Sequence, residues 1–195
     1  MGHVSQTLVH QVLSGEPMRA ALQFLAQGVV LSLALGCGGC GNRPAPAPPG
    51  PAVDPERGHL LHAQPKLPTI KLWVGDQELI AEIARRPVEI ATGMMFRTNL
   101  LENEAMLFVF PEPGPKNFYM RNCVVPLSAA YIEPDGTIAE IVDLHPGDEQ
   151  GVPSRSTNIQ FVLEVRQGWF ARHHLRPGAW VRTERGPLRE TFFGR

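Results

Sequence analysis

"TIKLWVGDQELIAEIA", Thr69 to Ala84, alternates apolar and polar residues on both sides of Gly75-Asp76. Period-two alternation around a Gly-containing turn signal is how a β-hairpin reads in sequence. Ile70, Leu72 and Val74 share one face, and Thr69, Lys71 and Trp73 take the other. The pattern extends downstream. "AMLFVF", from Ala105, is apolar on both faces and reads as a strand buried on both sides. "NFYMRNCVVP" (Asn117 to Pro126) and "LSAAYIEPDGTIAEIVDL" (Leu127 to Leu144) continue the series, with Pro134-Asp135-Gly136 turning the second. "FVLEVRQG", from Phe161, adds a strand, and "AWVRT", from Ala179, closes the set.

Two short helices interrupt these strands. Pro87 suits a first helical turn and Gly93 is placed to end it. "WFARHHLRPG", from Trp169, reads as a helical turn stopped by Pro177 and Gly178. The expected fold is mainly β: a compact single-domain barrel or sandwich, jelly-roll-like, with one or two short helices over residues 67–195. No βαβ alternation, Gly-rich phosphate loop or internal repeat is read, which argues against a nucleotide-binding α/β fold. The longest irregular stretch, "HPGDEQGVPSRSTN" from His145 to Asn158, is placed to overhang a pocket.

At 195 residues the chain has room for one domain plus extras, and 43% hydrophobic with 19% charged residues is ordinary for a globular protein. A net charge of -1 gives no electrostatic reason to expect nucleic acid. The three cysteines are too few for a disulfide framework.

The N-terminal third reads as targeting and tether. Met18-Arg19 opens "AALQFLAQGVVLSLALG", an apolar run of roughly 15 residues, in the signal-peptide range and short of a membrane span. It ends Ala34-Leu35-Gly36-Cys37, which resembles the lipobox of bacterial lipoproteins, with Ala34 where leucine is preferred. That resemblance implies cleavage before Cys37 and lipidation of its thiol. Residues 1–17 then form an upstream extension, residues 18–36 the signal peptide, and residues 37–66 the lipidated cysteine with its linker. A lipidated Cys37 cannot join Cys40 in redox or metal chemistry. The Pro/Ala-rich run from Gly41 to Lys66 favours extended polyproline II, reaching up to ~75 Å, with His59 and His62 as solvated linker histidines. The expected setting is a bacterial cell envelope, periplasm-facing, with the lipid anchor holding the chain to a membrane. Gly38, rather than Asp, follows Cys37, which favours the outer membrane.

Gly93-Met94-Met95-Phe96-Arg97, Met106-Leu107-Phe108-Val109-Phe110, Phe118-Tyr119-Met120-Arg121-Asn122 and Pro126-Leu127 form an ordered set, joined by Asp135-Gly136, Ile138, Val162-Leu163-Glu164-Val165 and Gly168. Over roughly residues 68–183 the set resembles the family called domain of unknown function 192. The resemblance implies a compact, mainly β fold, often behind a signal peptide or lipobox, and brings no reaction with it. Ser128 stands where the family usually has Asp, Ala105 where it often has Gly, and Gly178-Ala179 replaces a closing Gly-Asp.

The candidate ligand-binding residues are Arg97, Met120, Arg121, Asn122 and Glu164. Glu164 lies mid-strand, on the face opposite Leu163 and Val165. An Arg97–Glu164 pair would either bind a polar ligand or fix strand register, since buried charges need partners. Asn122 near a strand end either turns the backbone or contacts the ligand. Met94, Met95, Met106 and Met120 offer soft sulfur of the kind that suits Cu(I), yet they alternate with Phe and Leu as core fillers do. His145, His173 and His174 lack zinc-site spacing. Cys123, beside Val124 and Val125, has the apolar setting of an inert thiol. No metal, cofactor or catalytic set is therefore expected. The expected partner is a small polar ligand or another envelope protein, and the alternatives are an enzyme acting on an envelope substrate or a scaffold.

Overall fold

The computed structural model describes residues 50–194; the expected signal peptide, Cys37 and the first part of the tether lie outside the described residues. The hairpin forms as the alternation predicts. β1 (Thr69–Val74) and β2 (Gln77–Ala84) pair antiparallel, with Val74 opposite Gln77 across the Gly75-Asp76 turn. Helix α1 (Pro87–Thr92) starts on Pro87 and is closed by Gly93. β3 (Glu104–Gly114) then runs parallel to β2, with Ala81 beside Ala105. One parallel crossover thus exists where no βαβ unit was read; α1 is only six residues long, too short for a periodic signal.

After the two-residue strand β4 (Asn117–Phe118), the chain forms the hairpin of β5 (Leu127–Ile132) and β6 (Ile138–Leu144). The expected strand over "NFYMRNCVVP" is otherwise irregular: Asn122 sits at φ 55°, in a left-handed turn that breaks the extended backbone. β7 (Val152–Pro153) pairs with β4, and β8 (Ile159–Arg166) inserts between β3 and β5. Helix α2 (Trp169–Arg172), strands β9 (Val181–Thr183) and β10 (Gly186–Pro187), and helix α3 (Leu188–Phe193) complete the chain. The third helix was not anticipated.

The fold is mainly β. Eight strands form one sheet in the order β10-β9-β1-β2-β3-β8-β5-β6. It does not close into a barrel, although a bridge from Thr137 to Trp180 ties the β5–β6 turn to the segment before β9. Because side chains alternate, β3 and β8 feed two cores. One face carries Leu107, Val109, Phe161, Leu163 and Val165, and is covered by Trp169 and Phe170 of α2 and Leu188 of α3. The other carries Met106, Phe108, Val162 and Tyr131, and is covered by Met94, Met95 and Leu100 of the crossover and by Met120 and Cys123.

The tether expectation fails over its last part. From Val53 the chain is bound to the domain: Val53 bridges Leu60, and the Leu60 N–H donates to Thr92 Oγ1 at 2.9 Å. Gln64 Nε2 donates to the Gly93 carbonyl at 2.8 Å. His59 is buried, not solvated, whereas His62 is exposed. Leu60 and Leu67 supply the buried apolar surface that a Pro/Ala linker lacks.

Candidate functional site

Three carboxyl side chains are buried in the described residues, Glu82, Glu89 and Glu164, and all lie on the side of the sheet that faces the crossover. Glu82 and Glu164 share one cross-strand row: Glu82 pairs with Met106, Met106 with Glu164, and Glu164 with Ala129. Two strand spacings separate the two carboxyls, roughly 10 Å.

Glu82 is fully provided for. Arg97 grips it with two bonds of 2.9 Å, and the Leu67 N–H donates to it at 2.7 Å. Such bidentate contacts are the strong form of ion pairing. The expected Arg97–Glu164 pair is therefore not formed; Arg97 is turned to Glu82 on β2, two strands away from Glu164. Its Nε is left without an acceptor. Glu89 also has donors. Burial works to raise its carboxyl, but the backbone N–H groups of Arg86 and Arg85 and the Arg86 guanidinium outweigh it, and the net result is a lowered pKa.

Glu164 differs. It is 4% exposed and accepts no hydrogen bond from any described residue, and its oxygens reach the cavity space rather than being sealed in the core. Burial alone pushes its carboxyl up from the ordinary 4.5 to about 8, so the group is neutral over most of the physiological range. It borders a cavity of about 260 Å³. The walls are Met94 and Met95 from the crossover, Phe108 and Phe110 from β3, Phe118 from β4 and Tyr119 just after it, with Lys116 and Cys123 completing them. The Lys116 ammonium donates to the Gly114 carbonyl at 3.1 Å and lies 4.7 Å over the Phe110 ring. Phe108 and Phe118 meet edge to face with centroids 4.8 Å apart.

Local backbone chemistry shapes these walls. Gly93 sits at φ 47°, and a Cβ there would press on the Phe108 ring at 3.2 Å. Only glycine lets the crossover turn and approach that ring. Phe96 and Asn122 are both left-handed, at φ 61° and 55°, and the Phe96 N–H donates to the Asn122 carbonyl at 2.8 Å. For a bulky residue such as Phe96 this conformation is strained. The contact staples the Met94-Met95 wall to the strand-free stretch carrying Tyr119 and Cys123.

Of the five candidates, then, Glu164 alone borders the cavity. Met120 is buried in the core behind it, and its N–H donates to the Asp148 carbonyl at 2.7 Å. Arg121 is paired with Glu149, and Arg97 with Glu82. Asn122 makes the turn and donates its amide to Met95 Sδ. The segment His145–Asn158 does not overhang this cavity; it braces it from behind, through β7 on β4 and through the Tyr131 hydroxyl bonded to the Val152 carbonyl.

Sequence reasoning missed Glu82, Lys116, Phe108 and Phe118 as site or partner residues. Glu82 had a signal: it is the one charged residue in "LIAEIA", on a face that the crossover covers. Cys123 behaves as expected, its thiol pushed up to about 12 by burial and by the Glu164 charge. No cluster of metal-ligating side chains occurs among the described residues.

Two solved structures resemble the chain. A Novosphingobium aromaticivorans protein of unknown function is 32% identical with a TM-score of 0.56, over 68% of this chain and 92% of its own. A Sinorhizobium meliloti protein described as a "putative transcription regulator" is 29% identical with a TM-score of 0.55, over 59% of this chain and 92% of its own. No curated protein matches. The family profile described as uncharacterized ACR, DUF192, matches residues 70–183, from the first hairpin strand to the last residue of β9 and across every wall of the cavity, and the chain therefore belongs to the DUF192 family.

Proposed function

We propose that the protein is a membrane-anchored envelope lipoprotein whose β domain is a binding module, with the Glu164 cavity as its ligand site. The observation that carries this reading is a buried carboxyl without a donor on the border of a cavity with aromatic and thioether walls. Natural cores satisfy buried polar groups, so an unserved one facing space is where a ligand's donor belongs. The strained Phe96–Asn122 staple beside it fits the same reading, because strain collects at functional sites. The signal-length apolar run ending in Gly36-Cys37 supports the anchor. Thiol chemistry is disfavoured by a Cys123 pKa near 12, which leaves almost no thiolate at neutral pH. The S. meliloti relative is described as a "putative transcription regulator", and a net charge of -1 gives such a role, were it exercised on nucleic acid, no electrostatic support here.

Two measurements test the two parts. Cells given radiolabelled palmitate should label the protein, and Cys37→Ala should abolish the label; an unlabelled wild type contradicts the anchor. With methionine methyls labelled for NMR, members of a fragment library that bind should shift the Met94 and Met95 signals. Loss of those shifts in Glu164→Gln supports the site. A library that leaves both methyls unmoved contradicts it.

A further inference from the structure

We propose that the Glu164 cavity takes a small organic cation, a primary ammonium on a compact apolar body, with the Glu164 carboxylate as its counter-charge. The inference rests on the binding-module reading and names its ligand class.

The size comes first. An apolar cavity of about 150 Å³ holds benzene, so about 260 Å³ leaves room for one ring or short chain plus a polar head. The walls come next. Phe108, Phe110 and Phe118 line the cavity, and cations are attracted to the faces of such rings. Lys116 already rests its ammonium over Phe110. Its charge is held at that ring by the Gly114 carbonyl and does not reach Glu164 as a hydrogen-bond partner.

The carboxyl decides the sign of the ligand. Glu82 in the same row shows what a carboxylate on this face requires: a cation and an added N–H donor. Glu164 has neither, and an anionic ligand would supply neither. An ammonium supplies both, a full opposite charge and three donors.

Binding then moves a proton. The neutral Glu164 carboxyl gives its proton to solvent, and the carboxylate formed pairs with the ligand's ammonium, which keeps its own three protons. Other ionisable groups around Glu164 stay out of this exchange. Burial holds the Cys123 thiol and the Tyr131 hydroxyl above their ordinary values, so both remain neutral. Glu82 is locked to Arg97 two strands away. Lys116, made less basic by burial, is held at the Gly114 carbonyl and the Phe110 ring, and α1 presents Ile90, Ala91 and Thr92, none of which titrates. Affinity should therefore rise about tenfold per pH unit from roughly pH 6 to 8, and level off once Glu164 ionises unaided.

The test uses the full chain in detergent and three probes of one shape: 2-phenylethylamine, 2-phenylethanol and 3-phenylpropanoate. Calorimetry at pH 7 in two buffers of different ionisation heat should show the amine binding at least tenfold tighter than the other two. About one proton should be released per amine bound. Glu164→Gln, which keeps shape and removes the charge, should lose that preference while its melting transition stays cooperative. If the alcohol or the acid binds as tightly as the amine, the cation assignment is overturned while the cavity reading stands. If all three fail although fragments still shift Met94 and Met95, the cation assignment again falls alone. If fragments fail too, both readings fall.

Discussion

On one face of the eight-stranded sheet the buried groups are hydrocarbon, apart from the hydrogen-bonded Ser128 and Thr183 hydroxyls and, beside α3, the Gln160 amide, which donates to the Pro111 carbonyl and whose oxygen has no partner among the described residues. On the other, the glutamates Glu82 and Glu164 are buried among methionines and aromatic rings. The first face is closed by helices and built for stability. The second is closed by irregular chain and leaves one carboxyl unserved. The comparison narrows further to a single row, in which Glu82 holds Arg97 and Glu164 holds nothing. One sheet thus shows what burying a carboxylate requires and what it looks like when the last partner is missing.

The contrast can be broken from the apolar side first. Phe161 is fully buried and packs against Phe192 and Phe193, so Phe161→Ala should cost about 3–5 kcal/mol in denaturant unfolding. A cost below about 1 kcal/mol would mean that this face is not the main core. On the second face, Arg97→Ala strands the Glu82 carboxylate and should cost about 3 kcal/mol, the lower end for breaking a buried pair because both side chains keep slight exposure. If Arg97 instead serves a ligand, its removal should leave stability nearly unchanged.

Glu164→Gln should behave in the opposite sense. In wild type the folded carboxyl stays protonated to about pH 8, whereas the unfolded one ionises near 4.5. The unfolded state thus binds fewer protons over that window, and wild-type stability falls as pH rises from about 4.5 to 8. The variant lacks this slope. The two should match near pH 4, and the variant should gain on the order of 4 kcal/mol near pH 8, read from melting curves across pH. Parallel curves would show that the carboxyl has found a partner. The smallest effect belongs outside both faces. Glu102 and Arg172 pair at 2.9 Å with nearly half of each side chain exposed, so Glu102→Ala should change stability by less than about 1 kcal/mol.

The sheet was legible where short-range rules govern it. Gly75-Asp76 and Pro134-Asp135-Gly136 are turns, and the alternation about them assigns faces correctly, including that of Glu164 opposite Leu163 and Val165. Partnership across strands was not legible. Arg97 reaches Glu82 because β3 lies parallel to β2 through a crossover whose helix is too short to announce itself. The cavity was equally hidden, since Lys116, Phe118 and Cys123 reach it by an irregular path through the left-handed Asn122. Burial of His59 depended on Thr92 and Gly93 offering bonds to neighbouring Leu60 and Gln64, which composition cannot reveal.

The most direct test is a ¹³C NMR titration of the Glu164 side-chain carboxyl in the folded protein, assigned by comparison with Glu164→Gln. A carboxyl facing the cavity without donors should titrate near 8. On adding 2-phenylethylamine at pH 7 its signal should move to the ionised position. A carboxyl that titrates near the ordinary 4.5 in the free protein would contradict the account, because it would already have the partner that Glu164 is held to lack.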